Sequence, residues 1–173
     1  MPNPPLEQQR GRAPRLLAVA VPAVLVALVV PVVPASAAET GGTKLTHSQA
    51  AARLRSAGIG IHSSGNCSDW NNRRCTSLTN VNSGSIDGII RFRQVSGCGV
   101  TVTGGTEVGH ASGRLSHRNG YKLDISPTSC VSGHITRNYR RIGTRGDGAA
   151  LYRPNGSPNT YARESNHWDI TYP

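Results

Sequence analysis

The sequence predicts a small single domain of the α+β class, an antiparallel sheet with its helices towards the N-terminus. Two observations carry this expectation. Helix-forming runs come first, near residues 46–57 and 85–95, and β-branched alternating runs follow, near 100–103, 121–125 and 167–172. The chain of 173 residues is also long enough for one ordinary domain and little more, with no internal repeat.

The first stretch reads as separate from that domain. Arg10, Arg12 and Arg15 form a positive segment, and the run from Leu16 to Val33 is almost wholly apolar. Pro34 then precedes Ala35-Ser36-Ala37, a small-x-small cleavage signature. Residues 1–37 are therefore expected to be a secretory signal peptide. The rival reading is an uncleaved membrane anchor, against which Pro22 and Pro31 interrupt the apolar run. Residues 38–44 read as a flexible leader, and 45–173 as the folded domain.

Thr46 can cap a helix, with Gln49 completing a capping box, and Ala50 to Ala57 continue it to Gly58. Ile59-Gly60-Ile61 suggests a short strand, and 62–79 is polar and loop-like. Ile86, Ile89, Ile90 and Arg93 recur at helical spacing, giving a second helix over 85–95. Val100 to Thr103 reads as a strand broken by Gly104 and Gly105. A glycine-spaced loop leads to His117, and Tyr121 to Ile125 forms a strand ended by Pro127. Residues 143–160 are rich in Gly, Pro and Asn and read as loop or hairpin, and 167–172 as the final strand.

Four cysteines, Cys67, Cys75, Cys98 and Cys130, all follow the apolar segment. An even count in an exported chain implies two disulfides, for which three pairings exist. Cys67 with Cys75, bracketing one polar loop, and Cys98 with Cys130 is the preferred set. A cysteine zinc site lacks any C-x-x-C pair.

Charge narrows the partners. Removing residues 1–37, with three arginines and one glutamate, lowers the net charge from +10 to about +8. A basic exported surface suits anionic cell-wall polymers. Nucleic acid is the weaker expectation, because aromatics are few and no phosphate-binding loop is present.

The chemistry lies in the C-terminal half, in Ser116-His117-Arg118-Asn119-Gly120-Tyr121-Lys122-Leu123-Asp124-Ile125 and, later, Glu164-Ser165-Asn166-His167-Trp168-Asp169. Catalytic zinc takes three N or O ligands and keeps one open position. Two neutral imidazoles and one carboxylate, His117, Asp124 and His167, can supply them. Glu164, three residues before His167, is placed to act as a base. Gly120 lets the chain turn between the first two ligands. Trp168 is expected in the core, and Asp169 is a candidate to orient a ligand imidazole. Two histidines and a carboxylate also suit other divalent ions.

These residues resemble a known family. Ser-His-x-x-Gly-x-x-x-Asp-Ile followed by Glu-x-x-His is similar to the zinc D-Ala-D-Ala carboxypeptidases and the related D,D-dipeptidases and L-Ala-D-Glu endopeptidases. The resemblance covers about residue 100 to the C-terminus. It implies a hedgehog/DD-peptidase-like fold, zinc on His117, Asp124 and His167, and Glu164 as catalytic base. It implies hydrolysis of peptidoglycan stem peptides by a secreted, cell-wall-associated enzyme, with no stable membrane association after signal cleavage. Two departures stand out. Lys122 replaces a frequent alanine, its side chain expected to turn away from the metal. The stretch Thr103 to Glu107 lacks the arginine that binds substrate in the family, leaving Arg91, Arg93 or Arg114 to supply the charge. His110 and Arg114 are the candidate substrate contacts, with bonding to the loop backbone as the structural reading of His110. His47, His62 and His134 read as ordinary polar residues. The alternative to an enzyme is a non-catalytic cell-wall binding module on the same scaffold.

Overall fold

The computed structural model describes residues 1–2 and 42–173. The apolar segment read as a signal peptide and residues 38–41 of the expected leader lie outside the described residues. Among the described residues no helix is long and apolar enough to cross a membrane.

Strand β1 (Lys44–Leu45) begins the domain one residue inside the segment read as leader, and pairs antiparallel with β3 (Val81–Asn82). Between them lie α1 (His47–Ser56) and β2 (Gly60–Ile61). The capping box forms as the sequence implies: the Thr46 hydroxyl accepts from the Gln49 N–H, and the Gln49 side chain accepts from the Thr46 N–H. Helix α2 (Ser83–Ser96) ends at Gly97, which adopts φ 67°, a conformation glycine reaches without steric cost.

Then follow β4 (Thr101–Gly104), β5 (Lys122–Ile125), α3 (Ser129–Asn138), β6 (Arg140–Thr144), β7 (Ala150–Arg153), β8 (Thr160–Arg163) and β9 (Trp168–Thr171). The main sheet has the order β2-β4-β5-β9-β8-β7-β6. It is mostly antiparallel, but β2 pairs parallel with β4, so the expected wholly antiparallel sheet is corrected to a mixed one. The expectation of helices before strands is also corrected. Helix α3 follows β5, capped by the Thr128 hydroxyl, which accepts from the Val131 N–H. Gly104, read as a strand breaker, is the last residue of β4, beside a register shift. The Gly- and Asn-rich stretch is a hairpin, β6 with β7, continued by β8.

Strand alternation gives the sheet two unlike faces. Leu123, Ile125, Tyr161, Trp168 and Ile170 are buried in the core shared with Leu54 of α1, Phe92 of α2 and Ile135 of α3. The Phe92 ring lies 5.6 Å from that of Tyr161, and the Trp168 indole donates to Ser132 Oγ (3.1 Å). The helices therefore cover one face. The opposite face carries Lys122, Asp124, Asp169, Thr171, Thr160, Ala162, Leu151 and Arg153, and this polar face holds the site.

Both disulfides form in the preferred pairing, Cys67–Cys75 and Cys98–Cys130. The second ties the end of α2 to the start of α3 across a separation of 32 residues, against 8 for the first. Loop closure makes the longer bridge the larger contributor, about 4 against about 2.5 kcal/mol. Cys98→Ser with Cys130→Ser is therefore expected to lower the urea midpoint more than Cys67→Ser with Cys75→Ser. Equal losses would contradict that ranking.

Candidate metal centre

The site is assembled from β5, the loop between β4 and β5, and the β8–β9 turn. Asp124 lies on the polar face of β5, directly opposite Gly104 in β4 and Asp169 in β9. Two aspartates side by side on adjacent strands repel one another. Asp169 is compensated at one oxygen: Lys122 Nζ (2.6 Å) and Arg145 Nη1 (2.8 Å) both donate to its Oδ2. Its Oδ1 is buried without a hydrogen-bond partner among the described residues, 3.7 Å from His117 Nε2. Burial would raise the Asp169 pKa, but His117 and Lys122 outweigh it and hold the carboxyl well below its usual range. Asp124 Oδ1 is buried and has no hydrogen-bond partner among the described residues. A buried carboxylate oxygen left in that condition calls for a cation.

Three imidazoles surround it. His117 comes from the turn before β5, where Gly120 adopts φ +78° and its carbonyl accepts from Asn82 N (3.0 Å) and Ser85 Oγ (2.7 Å). A Cβ at Gly120 would come within 2.4 Å of the Asn80 carbonyl, so this turn is clamped against β3 and α2. His117 Nδ1 lies 2.7 Å from the Gly105 carbonyl, an acceptor only, which fixes the proton on Nδ1 in the neutral ring. Nε2 then faces Asp124 Oδ1 at 3.3 Å. His167 repeats the device. Its Nδ1 lies 2.7 Å from Asn166 Oδ1, and its Nε2 lies 3.5 Å from the same Asp124 oxygen. His110 pairs through Nε2 with Glu107 Oε1 (3.1 Å), and its Nδ1 lies 3.8 Å from Asp124 Oδ2.

His110, His117 and Asp124 present ligand atoms that all lie within 4.8 Å of one another, a His-His-Asp cluster able to hold a metal ion. The rings of His110 and His117 are stacked, 3.8 Å apart and 16° from parallel. An ion bound by a histidine lies in the ring plane, so one ion cannot lie in the planes of both as they stand.

Glu164 and His167 share the β8–β9 turn, closed by the Glu164 N–H donating to the His167 carbonyl (3.1 Å). Glu164 Oε2 lies 3.4 Å from His167 Nε2, while Oε1 accepts from Arg145 Nη2. Arg145 also donates to both oxygens of Asp147 and so links three carboxylates.

Several expected roles need correction. His167 precedes β9 instead of belonging to it, and Asp169 does not orient its ring, since Asn166 does. Lys122 does not turn away; it shares the polar face with Asp124 and bonds Asp169. Arg114 is exposed on the loop, with its backbone carbonyl accepting from Asn119 Nδ2 (3.3 Å). Arg93 donates to the Gly58 carbonyl (3.2 Å) at the end of α1, and Arg91 is exposed on the same helix α2, which packs on the other face. The cation that reaches Glu164 is Arg145, which nothing in its local sequence distinguishes. Glu107 was also missed. It sits buried where the arginine was expected and accepts from the N–H groups of Ser77 (2.7 Å) and Gly105 (3.1 Å). Burial opposes its charge, yet His110 and those N–H groups hold its pKa below the ordinary value. Compared with family models, curated proteins and solved structures, the chain matches none.

Two results are expected of this site. A Cβ at Gly104 would lie 2.4 Å from Asp124 Oδ2 and 3.1 Å from its Cβ and Cγ. Gly104→Ala should therefore push the carboxylate aside and weaken binding of a divalent metal ion by about 10–100-fold, as loss of a supporting contact does. Calorimetric titration showing wild-type affinity would contradict this.

The second concerns pH. Burial disfavours the His117 imidazolium, but the nearby Asp124 and Asp169 carboxylates outweigh it and raise the pKa from 6.5 to about 10. A raised folded value means that the proton stabilises the ion-free fold fully below pH 6.5 and that this contribution is lost as pH rises through 10. Chelated wild type should lose melting temperature across that window more steeply than His117→Gln. Parallel profiles would exclude the linkage.

Proposed function

We propose that the chain is a secreted zinc-dependent peptidase that hydrolyses amide bonds in peptidoglycan stem peptides, of the carboxypeptidase or endopeptidase type. One observation carries the reading: the unpartnered Asp124 oxygen lies 3.3 Å from His117 Nε2 and 3.5 Å from His167 Nε2. Ligand atoms about 2.0–2.1 Å from a tetrahedral zinc are separated by about 3.3 Å. Both separations are compatible with one tetrahedral ion. We assign His117, Asp124 and His167 as its ligands and His110, its ring stacked beside that of His117, as a substrate contact, although the three-residue cluster with all ligand atoms within 4.8 Å is His110, His117 and Asp124. The two disulfides support an oxidising, extracellular location.

Zinc bound there supplies Lewis-acid polarisation of the scissile carbonyl and makes water more acidic. Asp124 and the two imidazoles fix its position, each imidazole oriented by an acceptor on Nδ1. Glu164 Oε2 takes a proton from the attacking water as the water oxygen bonds to the carbonyl carbon. It returns that proton to the amide nitrogen as the C–N bond breaks. Arg145 holds the other oxygen of Glu164 and limits its rotation.

The same ion pair favours a second reading, a cell-wall binding module, because an arginine-bound carboxylate is a poorer base. Incubating purified stem peptides with the zinc-loaded protein, with and without chelator, separates the two by mass spectrometry. A chelator-sensitive product of hydrolytic mass supports the peptidase. Binding without any product would favour the module.

A further inference from the structure

The polar face continues beyond the metal centre into a cleft of about 370 Å³, with Lys122, Thr171, Thr160 and Arg153 along its floor and Leu115 and Arg145 at its sides. Its three cations are not equivalent. Lys122 and Arg145 are engaged by Asp169. Arg153 has no carboxylate partner among the described residues; its Nη2 donates to Thr160 Oγ1 (3.3 Å), and its Nε is buried with no acceptor. A second feature lies beside the cleft, on the neighbouring strand. Arg140 of β6 stands directly opposite Arg153 of β7, so two like charges face each other across one ladder. Such a pair is destabilising unless an anion lies between or above it.

We infer that this cleft is a binding subsite for a carboxylate of the peptide substrate, with Arg153 as its main anchor and Arg140 as its support. The inference rests on the peptidase reading for the identity of the ligand, and it adds a length. Arg153 lies on β7, three strands from Asp124 on β5 and two residues beyond the position in register with it, about 16 Å at ordinary strand spacing and rise. An extended peptide covers that distance in about five residues. The favoured substrate is therefore a peptide whose carboxylate lies several residues from the scissile amide. Ala162 and Thr171, both small, also line this cleft.

The test is binding of acetyl-tetra-alanine, in all-L and all-D forms, each as free acid and as carboxamide, titrated calorimetrically at low salt. The full domain is used with and without zinc. The free acid of at least one form is expected to bind roughly tenfold tighter than its amide, the worth of a charge-assisted hydrogen-bonded pair. Arg153→Gln should reduce that preference to about twofold or less, and Arg140→Gln should reduce it in part. Arg141→Gln, opposite Tyr152 on the same hairpin, should leave it unchanged. Equal binding of acid and amide by the wild type, or a preference that survives Arg153→Gln, would overturn the subsite. Hydrolysis of stem peptides without an acid preference would sink the subsite and leave the peptidase. An Arg153-dependent preference with no hydrolysis would do the reverse.

Discussion

Asp124→Asn is expected to abolish zinc retention while leaving the fold intact. The substitution keeps the shape of the side chain and removes only its charge. The cluster then loses the carboxylate oxygen that lies near both His117 Nε2 and His167 Nε2. Structural zinc sites bind with about 10–16 kcal/mol in total, so one ligand of three or four is worth on the order of 10²–10³-fold or more in affinity. The domain should still fold, because the β5 pairings with Gly104 and Asp169 are kept, although the ion-free variant gives up the carboxylate charge that raises the His117 pKa. Removing the charge also relieves repulsion from Asp169 across the ladder. Thermal melts read both halves of the claim. Zinc at about 100 times the wild-type Kd should stabilise the wild type by about 2.7 kcal/mol and the variant by about 0.4 kcal/mol or less. A zinc-dependent shift of wild-type size in Asp124→Asn would remove Asp124 from the ligand set.

Glu164→Gln is expected to lower turnover by about 10²–10⁴-fold, the usual worth of a positioned general base, with zinc content unchanged. The two readouts must be taken together. Glu164 lies 3.4 Å from His167 Nε2, so a loss of activity accompanied by loss of metal would show only that the turn had been disturbed. Glutamine keeps a carbonyl oxygen able to accept from Arg145, which preserves the local packing while removing the proton acceptor. Retained turnover in a fully loaded variant would take Glu164 out of the chemistry and favour the binding module.

Much of this arrangement was legible in the sequence because it is local. The Thr46–Gln49 capping box, the glycine at the end of α2 and the short Cys67–Cys75 loop are set by nearby residues, whereas Cys98–Cys130, preferred among three open pairings, is joined over 32 residues by the fold. Likewise His117 and Asp124 flank one turn and one strand, and Glu164 and His167 share one turn, so each pair was visible as a motif. Features set by tertiary contact were not legible. Helix α3 is built on Ser129, Gly133 and Thr136, which have weak helix propensity; it forms because Val131 and Ile135 reach the core and the Trp168 indole bonds Ser132. The parallel pairing of β2 with β4 spans 40 residues and leaves no local trace. Arg145 is a turn arginine until the β6–β7 hairpin folds over β9 and brings it to Asp169 and Glu164. Glu107 reads as a polar loop residue until Ser77, 30 positions earlier, donates to it. The orientation of the imidazoles by Gly105 and Asn166 follows the same rule, with the partner of His167 adjacent in sequence and that of His117 twelve positions away.

The central claim is that a single ion binds His117 Nε2, Asp124 and His167 Nε2. Diffraction from zinc-soaked crystals, collected on both sides of the zinc absorption edge, tests it most directly. The account predicts one anomalous peak about 2.0–2.1 Å from those three side chains, with His110 outside the coordination shell. A peak coordinated by His110 with His117 and Asp124, with His167 turned away, would contradict the ligand assignment. Absence of any peak at this cluster in zinc-saturated crystals would contradict the metal centre itself.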